Sequence, residues 1–451
     1  MMVKVKTKTH FLCSDCGDSF PKWNGQCPSC KEWGTIAEFK VTGKTNASKR
    51  ISPLKESRSL SDVLSENPGK RYATGLHEVD RVLGGGILSG SLILLGGNPG
   101  VGKSTLALQM CQENIKTLYI TAEESEDQVA MRAKRLGIKA EDLHLSGENE
   151  IHSIESHVSA VKPQLLIVDS IQTIYNEEID SIAGSVSQIR ECGQEFLSLS
   201  KQNNVAIMMI GHVTKEGTIA GPKMLEHMVD TVLYLEGDDR HDHRILRSVK
   251  NRFGTTHEVG IFKMESDGLS EVTNPSELFL AERSENVPGT AIFPSLEGTR
   301  PILVEVQALV TNANYGTPQR NVNGFDAKRL GMLIAVLDKR MGFAMGAKDI
   351  FVNLVGGLRV DDPAADLSIL CSIASSARDQ AIPSNMILIG EVGLAGEIRS
   401  VGQIEKRLQE ASALGFTDAL IPQRNLNAKT KKMKMKLHPV RYVKDSFRII
   451  F

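Results

Sequence analysis

The sequence predicts an α/β chain in three parts: a small four-cysteine metal domain, a nucleotide-binding core on a parallel sheet, and a second α/β domain behind it. Three observations carry this. Cys13-x2-Cys16 and Cys27-x2-Cys30 form two knuckles ten residues apart. The stretch "SLILLGGNPGVGKSTLALQMC" runs from a buried strand through a glycine-rich loop into a helix. Strand-like apolar runs alternate with helical stretches across residues 72 to 270, the pattern of a parallel sheet with crossover helices, and a fresh α/β pattern follows.

At 451 residues and 41% hydrophobic content, the chain is long enough for two or three domains with their own cores. Its net charge of -1 excludes a uniformly basic nucleic-acid binder, so any contact with DNA has to come from local patches. No apolar run is long enough to cross a bilayer, and the opening "MMVKVKTKTHFL" lacks the apolar core of a secretory signal. The chain is expected in the cytoplasm, with no membrane partner and with its thiols reduced.

Each C-x-x-C turns tightly enough for two thiolates to hold one ion, and two such turns complete a tetrahedral sulfur shell. Cys13, Cys16, Cys27 and Cys30 are therefore assigned to Zn2+. A rubredoxin-like iron site uses similar knuckles but has no evident electron partner here, and a reducing compartment argues against two disulfides. Cys111, Cys192 and Cys371 stand singly in apolar helical stretches and read as buried, inert thiols. From about residue 41 to 71 the chain is polar, with two prolines and few large apolar side chains, and reads as a linker. Lys and Arg outnumber Asp and Glu over the first seventy residues, which serves either a nucleic-acid backbone or a solvated tether.

The loop fits G-x-x-x-x-G-K-[ST] from Gly97 to Ser104. Gly97, Asn98, Pro99, Gly100, Val101, Gly102, Lys103, Ser104 and Thr105 are assigned to the nucleotide. The glycines let backbone N–H groups turn inward on the phosphates, Lys103 reaches the terminal phosphates, and the Ser104 hydroxyl serves Mg2+. The strand "QLLIVDS" ends in Asp169, where a P-loop fold needs a carboxylate for the magnesium shell. The strand "TLYITAEES" ends in Glu123 and Glu124, and Glu123 is assigned as the general base, with Glu124 as the alternative. The strand "NVAIMMIGHV" ends at His212, placed to sense the γ-phosphate. The segment after it, "TKEGTIAGPKMLEH", reads as a mobile loop whose Lys215 and Lys223 suit the phosphates of a DNA strand.

The pentapeptide Lys250-Asn251-Arg252-Phe253-Gly254 lies between two strand-like runs, "HRILRSV" and "EVGIFKM", and is expected to top a hairpin. As a plain charged turn it would need no partner. Yet Lys103 and Mg2+ leave the γ-phosphate without an arginine, and phosphoryl transfer gains on the order of a thousandfold from one. Lys250 and Arg252 are therefore expected to act catalytically on the nucleotide of a neighbouring subunit, with Phe253 anchoring the tip and Asn251 shaping the turn.

These residues together resemble the RadA (Sms) family, whose members carry a four-cysteine zinc motif, a RecA-type ATPase core and the signature K-N-R-F-G, which stands unaltered at 250 to 254. The resemblance implies a ring architecture similar to that of hexameric DnaB-type helicases. It also implies action with RecA recombinase on single-stranded DNA and branched recombination intermediates. The leading expectation is a DNA-dependent ATPase that translocates as a ring and processes recombination branches. The alternative is an ATP-gated DNA-binding recombination mediator without motor activity.

The C-terminal stretch "LIGEVGLAGEIRSVGQIEKR" resembles the Lon protease segment that bears the catalytic lysine, and "LRVDDPAADLSI" the segment that bears the serine. The resemblance puts Ala364 at the serine position and Glu405 at the lysine position, which removes both reacting groups. Neighbouring Lys406 has no companion serine, since Ser368 is four residues on. Peptidase activity is thus the least favoured reading. The basic run "NLNAKTKKMKMKLH" offers Lys429, Lys431, Lys432, Lys434 and Lys436, of which Lys431 and Lys434 are assigned to DNA. The expected division is 1–40 zinc domain, 41–71 linker, 72–272 RecA-like ATPase, and 273–451 Lon-protease-like (S5-like) α/β domain.

Overall fold

The computed structural model describes residues 8–13, 19–20, 22–28, 31–41, 59–61, 69–111, 115–138, 141–212, 220–237, 242–256, 258–280, 283, 286–313, 317–355 and 359–451. Two compact units divide the described chain, one running to Glu271 and one from Val272 to Phe451.

At the front, β1 (Lys8–Cys13) pairs antiparallel with β2 (Ser19–Phe20) and with β3 (Ile36–Val41). Cys13 and Cys27 are fully buried and pack with Ile36. Cys16 and Cys30 lie outside the described residues.

The core begins with β4 (Arg71–Tyr72), α1 (His77–Leu83) and β5 (Ile87–Leu88), which pairs back on β4. There follow β6 (Leu92–Gly97), α2 (Lys103–Gln109), β7 (Thr117–Thr121), α3 (Glu126–Arg135), β8 (Leu143–Ser146), α4 (Ile151–Val161), β9 (Leu165–Asp169), α5 (Val186–Asn203) and β10 (Ala206–His212). Then come α6 (Ala220–Met228), β11 (Thr231–Gly237), β12 (His243–Asn251), β13 (Val259–Glu265) and β14 (Gly268–Glu271). The strands form one nine-stranded sheet in the order β14-β13-β12-β11-β6-β10-β9-β7-β8.

Side chains alternate along each strand, so a sheet covered on both faces needs apolar residues at every position. Ile93 and Leu95 enter the core on one face with Leu106, Met208 and Phe262, while Leu92 and Leu94 enter the other with Phe196, Ile207 and Val232. This explains why the strands read as continuous apolar runs.

Two expectations need correction. The sheet is parallel only from β8 to β11; β11, β12, β13 and β14 form an antiparallel meander. The reason is connection length, since a parallel crossover takes a dozen residues or more and only Ser266 and Asp267 separate β13 from β14. Likewise the stretch read as a mobile loop contains α6 from Ala220. Pro222 is compatible with this helix because it stands in the first turn, where its missing N–H has no partner to lose.

The second unit holds a seven-stranded sheet in the order Arg320–Asn323, Lys348–Leu354, Arg300–Asn312, Thr290–Glu297, Met386–Leu388, Asp418–Pro422 and Lys436–Val440. The helices Ala327–Met341, Asp366–Arg378 and Ile404–Ala413 belong to this unit. None of the described helices is long and apolar enough to cross a membrane.

Candidate nucleotide site

The glycine-rich loop joins β6 to α2 at the C-terminal edge of the parallel strands. A Cβ on Gly97 would lie 2.4 Å from the Leu235 carbonyl oxygen of β11, so only glycine lets the chain leave the strand there. Gly102 caps α2 in a left-handed conformation, and Lys103, Ser104 and Thr105 form its first turn. Lys103 is 4% exposed, and its Nζ donates to the carbonyls of Gly97 at 3.0 Å and Asn98 at 2.9 Å. Burial pushes its ammonium below the ordinary value, with Asp169 and Glu123 pulling the other way.

The predicted magnesium carboxylate, base and sensor meet beside this loop. β10 lies between β6 and β9, and β7 lies beyond β9, so Gly97, His212 and Asp169 end three adjacent strands and Glu123 stands two residues past the end of the fourth. His212 stands opposite Gly97 in the register. Asp169 is buried, and its Oδ2 accepts the Tyr119 hydroxyl at 2.6 Å. Glu123 accepts from Ser170 Oγ and lies 3.3 Å from His212 Nε2. The His212 contact above all, helped by the Ser170 hydroxyl and opposed by burial, holds the Glu123 carboxyl below the usual carboxylate range. The Asp169–Ser170 peptide is cis.

Glu123 and Glu124 differ in their surroundings. Glu124 pairs with Arg132 at 2.5 Å, while its carbonyl accepts the Thr121 hydroxyl at 2.7 Å, so its carboxylate is tied down on α3. Ser125 opens α3 with a reciprocal cap on Gln128, which fixes the turn carrying both carboxylates. Glu123 is the one that faces the strand ends. The set fits a nucleotide with magnesium: a buried ammonium, a helix N-terminal hydroxyl, and a buried carboxylate with one oxygen already held by Tyr119. Ser170, Tyr119 and Arg132 carry no motif. Their only signal in the sequence is nearness to a strand-end carboxylate, and three-dimensional pairing was needed to find them.

Lys250 and Arg252 lie elsewhere. Asn251 pairs with Thr231, and Thr231 pairs with Ile93, four residues before Gly97. At about 3.3 Å per residue the pentapeptide is on the order of 13 Å from its own phosphate loop, at the opposite edge of the sheet. The pentapeptide ends β12 and begins the connection to β13, as a hairpin requires. Lys250 Nζ donates to the Glu226 and His227 carbonyls at the end of α6, at 2.7 and 3.3 Å. Burial, then the Arg252 charge, pushes Lys250 below its ordinary value.

The anchor of this turn is Asn251, and not Phe253. Asn251 is buried, donates to the Val82 and Leu83 carbonyls, and accepts the Phe253 amide at 2.9 Å. Phe253 is exposed, and it is its carbonyl that is held, by Arg71 Nη2 at 2.8 Å. A Cβ on Gly254 would lie 2.8 Å from Asn251 Nδ2 and 3.2 Å from Gly84 Cα, so a side chain there would displace the anchoring amide.

Of the other assigned residues, Lys215 lies outside the described residues and Lys223 is in the first half of α6. Lys429, Lys431, Lys432, Lys434 and Lys436 are all exposed. Cys13 and Cys27 fit a thiolate site by their common buried cluster; with their two partners undescribed, no group of three or more metal-ligating side chains is found among the described residues. Burial pushes the Cys111 and Cys192 thiols up to about 12 and Cys371 higher still, in keeping with inert thiols.

In the second unit Ala364 is 1% exposed, and Glu405 sits in the first turn of its helix, accepting from Asn427 Nδ2 at 3.1 Å. Ser368 is buried and donates to the Leu388 carbonyl at 2.6 Å. Nearby Arg407, 3% exposed, pairs with Asp362 at 2.5 Å and donates to the Pro294 carbonyl at 2.6 Å. No hydroxyl and amine meet there.

Three family models match this chain. A model described as rubredoxin metal binding domain matches residues 11–38, one described as a family of unknown function matches residues 71–259, and one described as subunit ChlI of Mg-chelatase matches residues 312–425. The DNA repair protein RadA of Bacillus subtilis is 47% identical over 98% of this chain and 99% of its own length. Its counterpart in Halalkalibacterium halodurans is 45% identical over 99% of both chains, and that of Chlamydia pneumoniae 42% identical over 99% of both. The chain belongs to the RadA family of DNA repair proteins. Among solved structures, the RadB recombinase crystal structure aligns with a TM-score of 0.37 at 23% identity, over 44% of this chain and 99% of that one. A second solved structure, the ATPase domain of another protein, aligns at 0.42 and 13%, over 48% and 100%. As a RadA-family chain it is a DNA repair protein, with a rubredoxin-type metal-binding segment at residues 11–38, a P-loop core on a large mixed sheet and a C-terminal α/β domain.

Proposed function

We propose that this chain is a DNA-dependent ATPase that assembles as a ring, hexameric by analogy with DnaB-type helicases. It would move along single-stranded DNA and process branched recombination intermediates together with RecA. One observation carries the reading: Lys250 and Arg252 stand at the sheet edge remote from their own phosphate loop. The two cations can serve a nucleotide only when a second copy brings its P-loop to them.

In this reading the loop amides from Gly97 to Thr105 cradle the phosphates of ATP, and Lys103 transfers its hydrogen bonds from the Gly97 and Asn98 carbonyls to the terminal phosphates. Ser104 and Asp169 would hold magnesium, which would supply charge neutralisation at the phosphates. Glu123 polarises the attacking water, and Ser170 and His212 hold its carboxylate in place. His212 touches the base and begins the segment leading to Lys215 and Lys223, so a change at the γ-phosphate is passed toward the DNA strand. Lys250 and Arg252 of the adjacent subunit stabilise the charge that develops on transfer. Lys431 and Lys434 add contacts to the DNA backbone, the zinc ribbon of residues 1–40 stands ahead of the 41–71 linker, and residues 273–451 serve as a scaffold without peptidase activity. The chain works in the cytoplasm.

A forked DNA substrate tests the motor. ATP turnover stimulated by single strands, accompanied by strand displacement, is the expected result. Stimulated turnover with no displacement would replace the motor by an ATP-gated recombination mediator.

A further inference from the structure

Asp230 closes the link between α6 and β11 and is 3% exposed. A carboxylate so enclosed needs partners, and three reach it. Its Oδ2 accepts the Leu92 amide at 3.1 Å and Lys201 Nζ at 2.8 Å, while its Oδ1 faces Arg252 Nη1 at 3.4 Å. The backbone repeats the same links, since Asp230 N donates to the Leu92 carbonyl and Arg252 N to the Asp230 carbonyl. Leu92 is the first residue of the strand that ends in the phosphate loop. A single buried residue thus joins the root of that strand to the arginine of the pentapeptide.

The two oxygens are used unequally. The shorter bonds to Oδ2 fix the carboxylate in place; Oδ1 holds Arg252 only at the long limit of a hydrogen bond, with 55% of the arginine side chain exposed. Arg252 has no other side-chain partner among the described residues. A guanidinium carries five donors, so this arrangement gives it a direction and leaves most of its donors for another anion.

We propose that Asp230 is a positioning residue for the arginine that acts on the neighbouring subunit: it sets where Arg252 points, and through it turnover at a nucleotide that Asp230 never touches. The proposal rests on the shared-site reading above. A purely structural Asp230 would support its own chain's P-loop strand through Leu92, whereas a positioning Asp230 supports the neighbour's site. The two roles differ in which half of a shared site fails.

The test uses the full chain with ATP, Mg2+ and single-stranded DNA. Asp230→Asn alone is expected to lower kcat about tenfold, the effect of one charge-assisted contact, with KM for ATP unchanged. Mixed with Lys103→Ala subunits, it should regain turnover, because its intact P-loop then meets an intact arginine. The mixture of Arg252→Ala with Lys103→Ala is run beside it. Recovery in the Arg252 mixture but not in the Asp230 mixture overturns the positioning role and leaves the shared site standing; recovery in neither overturns both. Unchanged kcat in Asp230→Asn also overturns the proposal. Should that variant fail to assemble, Asp230→Glu is read in the same mixtures. In an Arg252→Ala background either substitution should lower kcat no further, and an added loss would contradict a route through Arg252.

Discussion

The nucleotide site and the Lon-like segment of the second unit are both built where a strand or loop gives way to a helix, yet they treat their polar groups in opposite ways. At the first, Asp169 and His212 end adjacent strands, Glu123 follows another and Lys103 opens α2, and Glu123 and His212 keep about a third of their side chains exposed. At the second, Ser368 is bound to a carbonyl, Glu405 to a helix turn and Asn427, and the buried Arg407 to Asp362. Glu123 and His212 are held but keep solvent access, whereas the Ser368 hydroxyl and the Arg407 guanidinium are buried and engaged within the fold. The difference teaches that resemblance to a reactive segment does not by itself supply accessible reacting groups.

Four changes probe that contrast. Glu123→Gln is expected to lower ATP turnover between about a hundredfold and a thousandfold with nucleotide binding retained, as read by steady-state kinetics and a fluorescent ATP analogue. Loss of binding instead would make Glu123 a ligand for the nucleotide, not its base. Arg407→Ala should act on stability, leaving the Asp362 carboxylate without its partner at a cost of about 3 kcal/mol, visible as a lower Tm. An unchanged Tm would mean the pair is dispensable.

His212→Ala should shift the acid limb of the pH–rate profile. Glu123 works when ionised, and His212 lowers its folded pKa, so removing His212 raises that pKa and moves the acid loss of activity to higher pH. A limb that stays put would separate the two residues. The smallest effect is expected from Ala364→Ser combined with Glu405→Lys, which should digest no casein, because position 364 is 1% exposed and gives an acyl group no room. Digestion would reduce the contrast to two substitutions.

The phosphate loop was legible because its chemistry is local: eight consecutive residues, with a strand before and a helix after, state their own purpose. Asp169, Glu123 and His212 were legible as strand ends, but the contact of Glu123 with Ser170 and His212 was not, since it joins strands whose order in the sheet differs from their order in the chain. Of the antiparallel meander, the β12–β13 hairpin was legible from its turn, whereas the pairing of β11 with β12 was not, because β11 is apolar enough to pass for a further parallel strand. The anchor of the pentapeptide is Asn251 rather than the expected Phe253, and this is not legible in the sequence because the Asn251 amide meets carbonyls of α1 about 170 residues away. Asp230 gave no signal, for an aspartate before a strand is common and its partners Leu92, Lys201 and Arg252 are scattered along the chain.

The central claim is that one nucleotide is served by two chains, and mixing Lys103→Ala subunits with Arg252→Ala subunits tests it most directly. Each variant alone should be close to inactive, since Arg252→Ala removes on the order of a thousandfold in rate. In verified mixed rings, turnover should return at the interfaces that pair an intact P-loop with an intact pentapeptide. Mixed rings that remain as inactive as either parent would contradict the shared site.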